Sequence, residues 1–383
     1  MQKYDLQYHR KPHRSLDETL AGPILRLCSA VLGTLVLIAL IVFLFIPGAV
    51  RLFGGTLTRG EPEETLPPTP SPTLAPTPEP IWTGKTHSIE SRALSNLAML
   101  DASIYGDRIL YVAGENPAAP DRLYAYDIES GVSTRLSATC KRGTLRSPVE
   151  NADYLLYADV TEDGAGDIHL RNKATGEDAV LCSVRYGAPK LALAGRYLAY
   201  KARTGVNTAE LYLVDLITKS GVAAARFTGT LYGASDASFF AGALVYAEPN
   251  EQGASRLVTV RPSSGEITKT DLSGLAYDPA RGSGFTAYLD GPYGENASLY
   301  VLLDGEKSAG VAYGVAAFSV SGAYVVYQSG GEIYAYHPKS SASFPLTNGE
   351  GNSRLVAVGG GYALWLEGET YQWMRLEHDN GEG

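Results

Sequence analysis

The densest run of chemically capable side chains in the sequence is DVTEDGAGDI, where Asp159, Glu162, Asp163 and Asp167 set four carboxylates within nine residues. Hard cations such as Ca²⁺ collect about six to eight oxygen ligands, so this run is the candidate metal site, and Ca²⁺ is the one cofactor it would suit. The spacing is not that of an EF-hand, and Asp163-Gly164 is also a good turn pair, which leaves a plain solvated loop as the competing reading. The six histidines are scattered. His169 lies within an apolar segment, where a packed or hydrogen-bonded ring is expected. No H-E-x-x-H, G-x-S-x-G or P-loop pattern occurs, and no catalytic residue is assigned. A nucleophile elbow or phosphate cradle also needs a helix after its strand, and no helical periodicity of useful length follows residue 95.

The elements that must position such residues form a repeat. Seven apolar segments carry an aromatic at one place: ILYVAG (Tyr111), LLYADV (Tyr157), YLAYKA (Tyr200), ALVYAE (Tyr246), FTAYLD (Tyr288), YVVYQS (Tyr327) and YALWLE (Trp365). A second strand follows each, with Tyr124, His169, Tyr212, Val258, Tyr300, Tyr334 and Trp373 in the matching slot. Gly131, Gly176, Gly221 and Gly265 then mark turns that want φ above zero, and another apolar segment precedes each aromatic strand. Each unit reads as a four-stranded meander of about 42 residues, and a period of roughly 40–45 residues is the signature of a β-propeller. The expected fold class is all-β, with seven antiparallel blades. The seventh unit lacks an outer strand of its own, so residues 84–92 are expected to pair beside 371–376 and close the ring. The seven aromatics are expected to be buried between blades.

The alternation in RILYVAG...RLYAYDIESGVSTRL resembles the WD40-like propellers of bacterial envelopes, the TolB-like and YWTD-related groups. The resemblance spans residues 85–376. No unit keeps the Gly-His...Trp-Asp pair or an intact YWTD. It implies an architecture and no particular activity, because such folds carry scaffolds, receptors and enzymes alike.

Ahead of the repeats the composition changes. Residues 27–46 (LCSAVLGTLVLIALIVFLFI) form twenty residues without a charge, about 30 Å of helix and one hydrocarbon core. Basic residues dominate 1–26, with Lys3, Arg10, Lys11, Arg14 and Arg26, so the positive-inside bias keeps that tail cytoplasmic. Residues 47–80 contain a Pro/Thr-rich stretch, in which 61–80 hold eight of the 21 prolines; Pro favours an extended stalk. The expected organisation is a cytoplasmic tail (1–26), an uncleaved single span (27–46), a stalk (47–80) and an extracytoplasmic propeller (81–383) at the cell membrane.

Across the chain 41 Asp and Glu outnumber 32 Lys and Arg, which argues against a nucleic-acid partner. Cys140 and Cys182 stand one repeat apart; export would permit a disulfide, although equivalent points on neighbouring blades can be too far apart for one. The loops between second and third strands share a face, and they carry Glu115, Asp121, Glu248, Glu251, Asp290 and Glu295 besides the cluster already named. That face is expected to meet a cationic partner, and the chain is expected to be a binding or scaffolding module for an envelope protein or glycan. The alternative is a polysaccharide lyase or glycoside hydrolase with its site in the channel. Converging carboxylates, a Tyr-His pair or a metal in the channel would distinguish the two.

Overall fold

The computed structural model describes residues 86–89 and 101–376 except 117, 295, 305, 348, 350 and 369. The segments expected to be a cytoplasmic tail (1–26), a membrane span (27–46) and a stalk (47–80) lie outside the described residues. Among the described residues no helix is long and apolar enough to cross a membrane.

The described residues form seven four-stranded antiparallel sheets. In the first, Asp101–Tyr105, Arg108–Ala113, Arg122–Asp127 and Val132–Leu136 follow one another as a meander, and the next five sheets repeat that order. The first strand of every sheet touches its counterparts in both neighbouring sheets, and the last such strand touches the first, so seven inner strands ring a central channel. The seventh sheet takes its outer strand from the other end of the chain. Thr86–Ile89 lies antiparallel to Thr370–Arg375, with Thr86 opposite Met374 and Ile89 opposite Tyr371. The expected closure is present, and it covers an edge that would otherwise be open to other chains.

All seven aromatics of the second strands are buried. Each faces the preceding blade: Tyr157 packs with Leu110, Val112 and Leu123, Tyr200 with Leu156 and Ile168, and Trp365 with Val326 and Ile333. Cross-strand pairing sets ring on ring. Tyr111 stacks on Tyr124 with centroids 5.3 Å apart, Tyr157 on His169 at 5.0 Å and Tyr327 on Tyr334 at 5.2 Å. The hydroxyls reach the outer strand of the same blade. Tyr111 meets Ser133 at 2.6 Å, Tyr288 meets Ser308 at 2.6 Å and Tyr327 meets Ser343 at 3.0 Å. Blade two puts Asp178 in that serine's place, where it accepts from Tyr157 at 2.9 Å and from Arg171 at 2.9 Å, with His169 Nδ1 at 3.3 Å. His169 is thus a packed, hydrogen-bonded ring.

Two local expectations need correction. Trp373 does not occupy the slot opposite the aromatic in the third strand of blade seven: Trp365 pairs with Gln372, and Trp373 pairs with Leu364. Ladder pairing runs as far as Glu367 and Thr370, and in blade six as far as Ser329 and Glu332. A one-residue slip sends a side chain to the other sheet face, and Trp373 accordingly packs against Tyr362, toward blade one. Gly221 is not the turn residue of blade three either. Lys219 takes the left-handed conformation at φ 52°, while Gly221 lies in the outer strand opposite Val214. Gly131, Gly176 and Gly265 have φ of 69°, 73° and 72°, as expected.

Removing residues up to 96 should lower the melting temperature and broaden the transition relative to a chain starting at Ile81; equal melting of the two would refute closure by Thr86–Ile89. Tyr200→Ala should cost about 3–5 kcal/mol, the usual range for a buried aromatic, measured by chemical denaturation.

Candidate functional site in the central channel

Two inner strands carry a residue followed by proline, Ser147-Pro148 and Asp278-Pro279. Proline has no N–H for the ladder and bars the preceding residue from the right-handed helical region. Register shifts follow at both places, between Arg146 and Val149 and between Tyr277 and Ala280. Ser147 and Asp278 adopt φ of 48° and 47°, a strained choice for a residue with a side chain. Each bulge is fastened to an adjacent blade. The Ser147 N–H donates to the Asp101 carboxylate, the Asp236 N–H donates to the Asp278 carboxylate, and the Asp278 N–H donates to Ser235 Oγ at 2.8 Å.

Asp278 thereby enters the wall of a channel cavity of about 280 Å³, together with Lys190, Asp236 and Tyr293 and the apolar surfaces of Leu191, Phe239 and Phe318. Lys190 Nζ lies 3.3 Å from Asp236 Oδ2. Tyr293 comes from the loop after Phe285–Leu289 and places its ring 5.9 Å from Tyr277 and 6.2 Å from Phe318. It lines the same cavity as Asp278.

Charge balance here is tight. Asp278 is only 8% exposed. Burial first, and then the neighbouring Asp236 charge, push its carboxyl up to about 6, although Lys190, the Asp236 N–H and Tyr293 pull the other way. Enclosure by protein draws the Lys190 ammonium down, but Asp236, Asp278 and Asp101 outweigh it and the net direction is upward. Burial lowers Lys201 to about 8 despite the same two aspartates; its Nζ donates to the Tyr232 carbonyl at 2.8 Å and sits 4.5 Å from the Phe227 ring.

The residues singled out from the sequence are placed elsewhere. Asp159 and Asp167 face each other across a ladder, and Arg142 clasps both. Asp159 accepts the Lys141 and Arg142 N–H groups at 2.7 and 2.9 Å, while Asp167 binds the Arg142 guanidinium at 3.0 Å and Ser183 Oγ at 2.6 Å. These bonds hold the crossover between blades one and two. Asp163 accepts from Thr161 Oγ1 in its own turn, and Glu162 is exposed. Among the described residues no three His, Cys, Asp or Glu side chains stand close enough to hold a metal ion. Cys140 and Cys182 are free thiols.

The acidic loops are also less negative than their own residues suggest, because neighbouring strands supply bases. Glu115 and Asp121 pair with Arg122 at 3.1 and 3.6 Å, and Glu248 pairs with Lys269 at 2.9 Å. Asp290 accepts the Ser298 N–H at 2.8 Å, Glu251 is exposed, and Glu295 lies outside the described residues. Lys190, Asp236, Asp278 and Tyr293 escaped sequence reasoning because they are far apart in the chain. Asp-Pro inside an inner strand was the one signal that would have pointed to them.

Asp278 fixes a pH dependence. A carboxyl raised from about 3.9 in the unfolded chain to about 6 in the folded one favours folding below the lower value, and that advantage is lost as pH rises through 6. Asp278→Asn tolerates the left-handed backbone and removes the buried charge. It should raise stability at pH 8 by up to about 3 kcal/mol, since each tenfold difference in proton affinity between the folded and unfolded chain is worth about 1.36 kcal/mol, and have little effect at pH 4. Equal effects at both pH values in denaturant melts would contradict the assignment.

No protein-family model matches the chain, and no curated protein matches it. Solved structures share the fold. The propeller domain of the trilobed protease from Pyrococcus furiosus aligns with a TM-score of 0.54 at 12% identity, over 74% of this chain and 99% of that one. That propeller has an open velcro topology, whereas here Thr86–Ile89 joins the last blade. An oligogalacturonate lyase from Vibrio parahaemolyticus aligns at 0.50 and 12% identity, over 78% and 98%. TolB from Acinetobacter baumannii gives 0.45 at 20% identity, over 64% and 66%. At these identities the likeness is one of fold: a seven-bladed β-propeller.

Proposed function

We propose that this chain is a binding module of the cell envelope, held outside the cytoplasm by the apolar segment 27–46 and the stalk 47–80, and that its ligand enters the central channel. One observation carries the reading. Lys190, Asp236, Asp278 and Tyr293, from three successive blades, meet in a cavity that also offers apolar and aromatic surface, the mixture expected of a ligand site. Backbone strain at Asp278 and its displaced ionisation are features that gather at such sites. The acidic loops, several of them paired, add a longer-range field that salt would screen.

A second reading is glycoside hydrolysis, favoured by the convergence of Asp236 and Asp278, since that chemistry uses two carboxyl groups with one held protonated. Binding is preferred because the pair is already engaged. Asp278 takes the Asp236 N–H, and Asp236 takes Lys190.

Full-length protein in detergent, screened by thermal shift against envelope glycans and peptides, should yield a ligand that stabilises the wild type and not the D236N/D278N variant. Equal stabilisation of both would move the site out of the channel. Sugar turnover that D278N abolishes would establish the hydrolase reading instead.

A further inference from the structure

Lys190 behaves as an occupant of the channel site more than as part of its wall. Its side chain lines the cavity yet keeps 65% of its accessible area. Its contact with Asp236, at 3.3 Å, is longer than the usual 2.7–2.9 Å of a charge-assisted N–H···O bond. Two neighbouring carboxylates are held more firmly. Asp278 is fixed by the bulge and by two hydrogen bonds to the preceding blade, and Asp101 is tied to Ser147. A loosely held ammonium on a flexible stem, beside anchored carboxylates, is the arrangement of a site whose tethered group can leave. Side-chain entropy favours its leaving, and only a group of the same charge and donor geometry would restore the lost contacts.

We propose that the channel recognises a primary ammonium group, which takes the place of the Lys190 amine on Asp236 in the cavity that Asp278 also lines, so that Lys190 is a built-in competitor for the ligand. The inference rests on the channel being the binding site and adds the chemical class of what binds there. The apparent dissociation constant is the intrinsic one divided by the fraction of sites that are free. If Lys190 fills the site about nine-tenths of the time, its removal tightens amine binding by roughly tenfold.

The test uses the full-length protein and two probes, n-butylammonium and the peptide acetyl-Ala-Lys-Ala-amide, with tetramethylammonium, which has no N–H donor, as the matched control. Calorimetry should show both probes binding Lys190→Met about tenfold more tightly than wild type, with no binding to K190M/D236N and none of the control. Tighter binding of the peptide would point to a lysine side chain as the natural group, and tighter binding of the simple amine to a free amine. Should K190M fail to fold, wild type supplies the second measurement: saturating n-butylammonium should speed acylation of Lys190 as its amine is released. The proposal is overturned if K190M binds amine no better than tetramethylammonium, or if amine leaves the wild-type acylation rate unchanged. It is also overturned if the ligand from the thermal-shift screen lacks an ammonium and loses its effect in K190M, a result that would leave the channel as the site.

Discussion

Every blade depends on one contact: the aromatic in the middle of its second strand, turned toward the preceding blade and sealed there. An isolated four-stranded sheet has two faces and cannot cover both. In a ring, each sheet covers its neighbour, and the seven aromatics, all buried, supply much of the apolar area that drives the arrangement. Their register is therefore under strict control. In blade seven, where the third strand sets Gln372 and no aromatic opposite Trp365, Trp365 still faces Val326. The chain gives up a stacked pair before it gives up the inter-blade contact.

Closure carries the same logic to the ends of the chain. Thr86–Ile89 and Thr370–Arg375 are separated by nearly the whole repeat array, yet they pair over four positions, so that no blade is left without an outer strand. Polar groups then fix the connections. Asp159 and Asp167 hold the first crossover through Arg142, and Glu332 holds a later one by accepting the Gly349 and Gly351 N–H groups. Buried or half-buried carboxylates satisfying backbone donors are what a loop-rich rim requires. Acids that look free in the sequence are thereby committed to the fold.

The channel is where that economy is broken. Apolar packing does not reach the axis, because inner strands that meet at an angle leave space between them. Into this space the bulge at Asp278 directs a carboxylate that burial and Asp236 together drive toward neutrality. No requirement of blade packing explains an Asp at that place, since Ala317 and Leu355 lie in the corresponding stretches of other inner strands. Charge is kept there against a burial penalty, with the exposed Lys190 ammonium beside it.

The sequence by itself determined the blade number, the strand pattern and the closing strand, because side-chain alternation and a fixed spacing are local properties that read directly as pleated strands. It also marked an apolar segment at 27–46 and a proline-rich stretch after it, features of composition. It misassigned Trp373 and Gly221, because a turn one residue shorter or longer leaves the hydrophobic pattern almost unchanged while reversing a side chain's face. What only the tertiary structure decided was which charges meet. Asp159 and Asp167 gained Arg142 from a preceding crossover, and Glu115 and Asp121 were paired by Arg122. Lys190, Asp236 and Asp278, about one repeat apart along the chain, came together in one lumen. Electrostatic neighbours are set by ring geometry, and no spacing along a single strand encodes it.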